Sequence, residues 1–264
     1  MPTLLIWVLS PIALAAAVAA VVAARFAARA RADAATVRRT PLTSATIGGV
    51  PPLVATCRAR TGLAKAPAHW FRIEQRGEMR LEPGDVWRPF RATQVYSVAE
   101  PQFVWHARMG AFCVVDSLVA GRGRLEARLF GVVPVAKSGD DDTTGAQLLR
   151  YLAEIVWVPG AITGNRAVTW QQVDERTALG RIEHRGSQLV LRFTFDQDGD
   201  IVGIDGARTY GAGNERRQAP WRGRFSDYRE IGGVRIPARA EVRWQLDSGP
   251  FDYWRATITD LSYR

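Results

Sequence analysis

Apolar and polar residues alternate along most of the chain after residue 70. In the stretch WFRIEQRGEMRL, Phe71 and Ile73 fall on one side of an extended chain, and Arg72 and Glu74 fall on the other. The same period of two recurs in FRATQVYSV, QFVWHARM, FCVVDSLVAGRGRLEARLF, SQLVLRFTF, DIVGIDGAR and the closing AEVRWQLDSGPFDYWRATITDL. This period is typical of antiparallel strands with one buried face. The pattern predicts around ten strands in a meander or barrel.

One segment within this region, QLLRYLAEIVWVPGAI, has the period of a helix instead. Its apolar positions at helical spacing are Leu148, Leu149, Leu152, Ile155 and Val156. Thr143 or Thr144 is expected to cap the helix, and Pro159 with the glycine after it is expected to end it. Arg150 and Glu154 are four residues apart, a spacing that usually gives a weak ion pair on an exposed helix face. We therefore predict a covering helix that packs through its leucines and points this pair to solvent.

The chain begins with an apolar stretch, because residues 2–24 contain no charged side chain. About 20 such residues suffice for a helix to cross the hydrocarbon core of a bilayer. A cleavable signal sequence would have a basic region before the apolar core, whereas here the positive charges follow it. The pattern favours an uncleaved transmembrane helix over residues 1–24, with membrane lipid as its partner.

Five arginines follow this stretch closely: Arg25, Arg29, Arg31, Arg38 and Arg39. Cytoplasmic flanks of membrane spans carry the excess of Lys and Arg, so the charges predict a single-pass protein with its domain in the cytoplasm. Residues 25–50 are interpreted as a basic juxtamembrane segment and linker, helical at first and then rich in Thr, Ser and Gly. Residues 51–264 are interpreted as one β-rich globular domain.

The expected fold class is α+β, mostly antiparallel β: a transmembrane helix followed by a strongly curved sheet or incomplete barrel with a covering helix. Leu152 and Ile155 of that helix would close the mouth of the barrel. The aromatic residues expected inside are Trp87, Phe90, Phe103, Trp105, Trp157, Trp221 and Trp244. These nine residues are the candidate lining for an apolar ligand. The alternative, that they fill a dry core, stays open because both arrangements have the same sequence pattern.

The net charge of +9 does not indicate a nucleic-acid partner. Seven arginines against one acid leave +6 between residues 25 and 60, so the rest of the chain before and after carries only +3. Basic patches that bind nucleic acid are normally accompanied by a recognition motif, and none is present here. We therefore expect no nucleic acid as a partner.

No motif for catalysis or for a metal ion is convincing, and we predict no catalytic residue, no metal and no cofactor. The three histidines, at positions 69, 106 and 184, lack the close His or Cys neighbours of a zinc site. Asp196, Asp198 and Asp200 have the spacing of a calcium loop, but the loop glycine falls at position four and Ala207 occupies position twelve. We interpret this stretch as a hairpin turn. An unrecognised enzyme site, if present, is expected around the polar strand residues His106 and Asp116 or around Glu154.

Four short stretches carry a resemblance: WRPFRA at 87–92, PQFVW at 101–105, RYLAE at 150–154 and GGVRIP at 232–237. With them the chain, from about residue 45 to its end, resembles an uncharacterised bacterial family, a domain of unknown function behind an N-terminal membrane helix. A looser similarity to the lipoprotein-carrier type of fold implies an incompletely closed antiparallel barrel with a helical lid over an apolar cavity. Such carriers act on the other side of the membrane, so that orientation also stays open.

Three functional hypotheses follow from the sequence. The favoured one is a membrane-tethered, non-enzymatic binding module for a lipid or other apolar ligand. The second is a scaffold that binds another membrane protein, although the sequence does not indicate which protein that would be. The third is an enzyme with an unrecognised site.

Overall fold

The computed structural model describes residues 2–42, 49–63, 68–211 and 213–264, with side chains from residue 13 onward. The α-helices of these residues are α1 (Pro2–Arg38), α2 (Pro52–Arg60), α3 (Asp141–Glu154) and α4 (Pro159–Gly164). The strands are β1 (Trp70–Met79), β2 (Arg88–Ser97), β3 (Phe103–Met109), β4 (Phe112–Val119), β5 (Arg122–Leu129), β6 (Val133–Ser138), β7 (Val168–Asp174), β8 (Thr177–His184), β9 (Ser187–Phe195), β10 (Ile201–Tyr210), β11 (Arg217–Ile231), β12 (Val234–Leu246) and β13 (Gly249–Tyr263).

The described strands form one antiparallel sheet of 13 strands, in the order β6-β5-β4-β3-β2-β1-β13-β12-β11-β10-β9-β8-β7. It consists of two meanders, β1 to β6 and β7 to β13, which join where the first strand pairs with the last. The predicted class, mostly antiparallel β with an N-terminal apolar helix, is confirmed. The strand number is higher than predicted in part because β6 is almost wholly exposed and β7 mostly so, which removes the apolar alternation.

The position of the helices follows from this strand order. α3 and α4 lie in the connection between β6 and β7, the two edge strands, so this connection must cross from one end of the sheet to the other. α3 contacts β4 and β5 on one side and β8, β9 and β10 on the other, and the sheet therefore curves around it. A helix within a sheet protein is explained here by the need to bridge the open side of the curved sheet.

The ends of α3 differ from the sequence-based expectation. Asp140, not Thr143 or Thr144, caps the helix: its Oδ1 accepts a hydrogen bond from the backbone N of Thr143 at 2.9 Å. At the other end α3 stops at Glu154, a short 3-10 turn follows, and Pro159 then occupies the first turn of α4. Proline is tolerated there because its missing N–H would have no partner within the helix.

The helix α1 is long and apolar enough to cross a membrane by length and composition. It continues without a break through position 25, and its second half packs on the outer face of the sheet. The packed residues are Phe26, Ala30 and Val37 on α1 against Val95, Val104, Cys113 and Val115 on β2, β3 and β4. The segment predicted as a linker is thus helical and packed as far as Arg38, because apolar residues spaced along α1 meet an apolar outer face. The predicted boundaries of the three parts of the chain otherwise stay predictions.

Candidate functional site

A cavity of about 210 Å³ lies between the C-terminal half of α3 and the inner face of the sheet. The aromatic side chains that line it are Trp105, Trp157, Trp221, Phe225, Tyr253 and Trp254. The ionisable side chains that line it are Asp116, Arg150, Glu154 and Arg208. The cavity therefore has an apolar wall with a small group of charges set into it, a combination found in small-molecule sites.

Arg150 lies at the centre of these charges. It donates hydrogen bonds to Asp116 and, through Nε at 3.0 Å, to Oε1 of Glu154. Its guanidinium carbon lies 4.9 Å from the ring centroid of Trp105 and 5.2 Å from that of Phe103. The three charged side chains are only 8 to 13% exposed. We call these three residues, Asp116, Arg150 and Glu154, the cavity cluster.

The prediction that Arg150 and Glu154 form a solvent-exposed pair is therefore wrong. The contact predicted from their helical spacing is correct, because Arg150 and Glu154 do form an ion pair. The mistake concerns their environment: α3 lies inside the curve of the sheet, and Tyr151 and Ala153, which flank the apolar face, are buried as well. Because the sheet covers most of the circumference of this part of α3, a charged pair on it is shielded from solvent.

Neutral polar side chains complete the hydrogen bonding of the two carboxylates. Asp116 accepts a second hydrogen bond from Gln147, whereas Oε2 of Glu154 accepts from Gln94 at 2.8 Å and from the Tyr96 hydroxyl at 2.6 Å. The contacts of Glu154 lead into a further chain, because Gln94 accepts from Gln75, and Gln75 accepts in turn from the Trp105 indole. The cavity wall therefore carries a connected polar network.

The environment shifts the pKa values of this group in directions that follow from burial and charge. Burial raises the pKa of Asp116, although Arg150 opposes the rise. Burial alone would lower the pKa of Arg150, but Glu154 and Asp116 outweigh it and raise the pKa, so that the guanidinium stays charged. Burial and the neighbouring Glu154 raise the pKa of Tyr96, which keeps its hydroxyl as a hydrogen-bond donor.

Arg208 is the second cation of the cavity. Its guanidinium carbon lies 4.8 Å from the ring centroid of Trp221 and 6.0 Å from that of Trp244. Its Nε atom is buried and has no hydrogen-bond partner among the described residues. Arg208 therefore presents donor capacity that the surrounding protein does not use.

The nine candidate ligand-binding residues fall into three groups. Trp105, Trp157 and Trp221 line the cavity. The core residues that do not line it are Phe90, Phe103, Leu152, Ile155 and Trp244. Trp87 was predicted to lie inside the sheet, and this prediction is wrong, because Trp87 belongs to the β1–β2 connection. Its half-buried ring contacts the guanidinium groups of Arg80 and Arg255. Ligand binding by any of the nine stays a prediction.

The polar residues singled out for a hidden enzyme site do not all meet. Asp116 and Glu154 share the cavity, whereas His106 lines a wide groove of about 1120 Å³ that also contains Arg91 and Arg108. Burial, together with Arg108 and Arg31, lowers the pKa of His106. Within the described ranges, no three His, Cys, Asp or Glu side chains are grouped as a metal site requires.

Sequence reasoning missed the amides of the network, although the strand pattern contained them. Gln75 continues the inward series of Phe71 and Ile73, and Gln94 lies between the inward residues Ala92 and Tyr96. A polar residue at an inward position of a strand must find a partner, because an unpaired buried polar group costs free energy. Such interruptions of the apolar series are the signal that could have located this site.

Three solved structures have a similar course of the chain. One is a LolA superfamily protein from Nitrosomonas europaea, with 10% sequence identity, a TM-score of 0.45, and coverage of 80% of this chain and 92% of that one. Another is a DUF1329 family protein from Desulfovibrio piger, with 10% identity, a TM-score of 0.44, and coverage of 81% and 94%. The third is a domain from Vibrio parahaemolyticus assigned to outer membrane lipoprotein sorting, with 8% identity, a TM-score of 0.46, and coverage of 80% and 91%. At these values the likeness supports no conclusion about a ligand.

Sequence comparison gives a family without an assigned activity. No curated protein matches the chain. The model of DUF6544, described as a family of unknown function, matches residues 40–256. This match spans most of the chain and confirms the resemblance to an uncharacterised domain family that the four short stretches indicated. The chain belongs to DUF6544, a family of unknown function.

Proposed function

We propose that this protein is a membrane-tethered binding module that holds an apolar or amphipathic ligand in the cavity beneath α3. The observation that carries the proposal is the aromatic-lined cavity itself, with six aromatic side chains around a space that the protein leaves unfilled. Protein interiors are normally packed to a density that leaves few voids larger than a water molecule. A void with this lining favours an apolar occupant.

The charges of the cavity suggest where the polar end of such a ligand would lie. The cavity cluster is internally paired, whereas the buried Nε atom of Arg208 has no partner among the described residues. A carboxylate or phosphate group beside Arg208 would pair with its guanidinium, and charge-assisted hydrogen bonds of this kind are strong. An amphipathic anion such as a fatty acid therefore fits the site better than a neutral hydrocarbon.

The volume of the cavity limits how the ligand is held. Ligand pockets commonly measure about 300–1,000 Å³, and this cavity, at about 210 Å³, is smaller. It accommodates part of an acyl chain, and a complete lipid requires that α3 moves outward. α3 is held in place by its leucines and by the ion pairs of Arg150. Displacement of α3 would therefore open the cavity and expose the cavity cluster at the same time.

The tether in this proposal is α1, retained as an uncleaved span. Cleavage near residues 20–35 would cut the segment that packs on the outer face of the sheet, where Phe26 and Ala30 are buried. The arginines after residue 24 favour the cytoplasmic side for the domain. Alkaline phosphatase fused at residue 264 should then be inactive, and the mature protein should begin near its first residue. An active fusion would reverse the orientation, and a processed N-terminus would remove the anchor.

The ligand proposal is tested on the full-length protein, purified from membranes in a mild detergent. Native mass spectrometry should detect a bound lipid, and a fluorescent fatty acid should bind competitively with it. Val114→Phe fills the cavity from its β4 wall and should reduce probe binding at least about tenfold, because the added ring occupies the space of the ligand. Val173→Phe makes the same change at a position that is 49% exposed in β7 and should leave binding unaltered.

Two results would overturn the ligand proposal. One is a parent protein that carries no lipid and binds no probe. The other is equal binding by Val114→Phe and Val173→Phe when both variants melt at the parent temperature. The scaffold hypothesis would then take its place, with one stoichiometric protein partner as its expected signature.

An enzyme is the second candidate, because Asp116 and Glu154, two of the residues singled out from sequence, meet in the same cavity. Both oxygens of each carboxylate already accept hydrogen bonds from the protein, so neither carboxylate presents a free oxygen to a substrate. Glu154→Gln separates the two functions. Loss of a cellular phenotype, with ligand binding and melting temperature retained, would favour the enzyme, and unchanged function would favour the binding module.

A further inference from the structure

Large apolar side chains are exposed at two connections of the sheet. Leu81 and Val86 lie in the β1–β2 connection, and Val86 is 72% exposed. Phe130, Val133 and Val135 lie at the β5–β6 hairpin, and Phe130 is 70% exposed. Among the described residues, the other exposed large apolar side chains are three in the apolar part of α1 and one in β7. Exposed apolar residues concentrated in this way indicate an interaction surface.

Antiparallel pairing brings these connections to the same end of the strands. Met79, the last residue of β1, pairs with Arg88, the first residue of β2. Phe112, the first residue of β4, pairs with Met109 at the end of β3 and with Leu129 at the end of β5. The β1–β2, β3–β4 and β5–β6 connections therefore lie next to one another. We call this end of the strands, with its three connections, the loop edge.

The helix α1 leaves the domain at the loop edge. A Cβ atom built on Gly131, in the β5–β6 turn, would lie 3.5 Å from the Cβ atom of Ala23. The apolar residues of α1 before this contact, such as Leu14 and Val21, are exposed, whereas Phe26 just after it is buried. The apolar half of α1 thus projects from the domain beside the exposed apolar residues of the hairpin.

The β5–β6 turn holds Phe130 in a strained backbone conformation. Phe130 has a φ of 52° and Gly131 a φ of 73°, and the left-handed region costs a residue other than glycine about 1–2 kcal/mol. The Phe130 backbone N donates to the Ala111 carbonyl at 2.7 Å, which holds the turn against the β3–β4 connection. Exposure of the Phe130 ring to water contributes no stabilisation that could offset this strain. Transfer of the ring from water into an apolar medium would be favourable in free energy.

The charges at the loop edge are mixed. Arg25 follows the exposed part of α1, and Arg80 and Arg88 flank the β1–β2 connection, where cations would meet lipid headgroups. Glu82 and Asp85 lie in the same connection. Because acids accompany the arginines, contact with a membrane at this edge would depend more on apolar insertion than on headgroup charge.

We propose that the loop edge rests on the bilayer that α1 enters, with Val86 and Phe130 inserted among the lipid headgroups and upper acyl chains. This inference rests on the proposed anchoring by α1. It adds an orientation to the proposed function, since the cavity extends to Met79, the last residue of β1, and therefore reaches the loop edge. A lipid can then pass between the bilayer and the cavity without crossing water.

The test uses the full-length protein in phosphatidylcholine nanodiscs, with single cysteines labelled by an environment-sensitive fluorophore. The two native cysteines are buried and are not expected to react in the folded protein. Val86→Cys and Phe130→Cys report on the loop edge, Val18→Cys reports on α1, and Val173→Cys reports on the opposite edge as the matched exposed control. A nitroxide attached to the lipids should quench the labels at 86, 130 and 18 at least about twofold more than the label at 173.

The positions separate failure of this inference from failure of the anchor. Quenching at position 18 but equally weak quenching at 86, 130 and 173 would show α1 in the bilayer and the loop edge in water, which overturns the inference alone. Weak quenching at position 18 as well would overturn the anchor on which it rests. Nanodiscs that contain phosphatidylglycerol should give the same quenching at 130, because insertion is apolar, and a requirement for the anionic lipid would contradict this mode of docking.

Discussion

Two groups of charged side chains in this protein differ in how burial and hydrogen bonding act on their aspartates. In the first, which we call the Asp200 cluster, Asp200 receives two hydrogen bonds each from Arg60 on α2 and Arg235 on β12, at 2.6 to 3.2 Å. The aspartate is buried, but both arginines are about a third exposed. In the cavity cluster the arrangement is reversed, because one arginine lies between two carboxylates and all three side chains are at most 13% exposed.

The pKa shifts express this difference. Burial acts to raise the pKa of Asp200, but the hydrogen bonds from Arg235 and Arg60 outweigh it and the pKa is lowered. Burial raises the pKa of Asp116 in spite of Arg150. The Asp200 cluster therefore favours the charged aspartate and joins α2 to the sheet. A buried ion pair with a large desolvation cost is weak evidence for stability, so the cavity cluster is better explained by the cavity that it borders.

The largest effect is expected from removal of the ring that supports the cavity cluster. Trp105 is 3% exposed, packs edge-on against Phe90 and lies under the guanidinium of Arg150. Trp105→Ala should lower the free energy of unfolding by about 3–5 kcal/mol through the cavity it creates, and further through the lost cation–π contact. Urea unfolding in detergent measures this loss. A midpoint close to that of the parent would show that Trp105 is not a core residue.

The next effect is expected from Arg150→Met, which leaves two buried carboxylates without their cation. Breaking a buried pair by removing one partner typically costs about 3–5 kcal/mol. Arg222→Met is the matched control, because Arg222 pairs with Asp205 at exposed positions, and should cost less than about 1 kcal/mol. Replacing the whole cluster, by Asp116→Leu, Arg150→Met and Glu154→Leu together, should recover most of the loss. A triple variant less stable than Arg150→Met would contradict this account of the cluster.

A smaller loss is expected at the other cluster. Asp200→Asn keeps the shape of the side chain but removes the charge that two arginines share, at a cost of about 1–3 kcal/mol. The arginines left behind are partly hydrated, which is why the loss should stay below that of Arg150→Met. Asp205→Asn, in an exposed pair, is the control. Equal losses for Asp200→Asn and Asp205→Asn would remove the distinction between a buried clamp and a surface pair.

The sequence was sufficient to predict most of the fold. Alternation such as that of Phe71, Ile73 and their polar neighbours has a direct physical cause, since one face of each strand is buried. Strand β6 lacks this pattern because the sheet ends there, and an edge that buries nothing leaves no apolar signal. The covering helix was predicted, and its role as a bridge between the edge strands became evident only from the strand order.

The candidate site was harder to predict. Trp105, Trp157 and Trp221 were expected inside and line the cavity, but the cavity cluster was missed as a unit. Asp116 and Arg150 are 34 residues apart, and their contact depends on the curvature of the sheet, which local spacing does not encode. A pair at helical spacing is compatible with solvent or with burial, and the burial of the whole helix decides between them.

The smallest effect, a difference in pH dependence, distinguishes the two clusters most directly. A lowered pKa at Asp200 gives stability that is present above its ordinary value of 3.8 and is lost as the pH falls through the folded-state pKa. A raised pKa at Asp116 has the opposite sign, because stability is lost as the pH rises from 3.8 toward the folded-state value. Asp200→Asn should therefore flatten the loss of stability in acid, whereas Asp116→Asn should flatten the decline in stability on the way to neutral pH. Urea midpoints of the two variants and the parent between about pH 3 and pH 7 measure both slopes. If both substitutions changed the dependence of stability on pH with the same sign, the pKa values of Asp200 and Asp116 would be shifted in the same direction. The proposed difference between the two clusters would then be wrong.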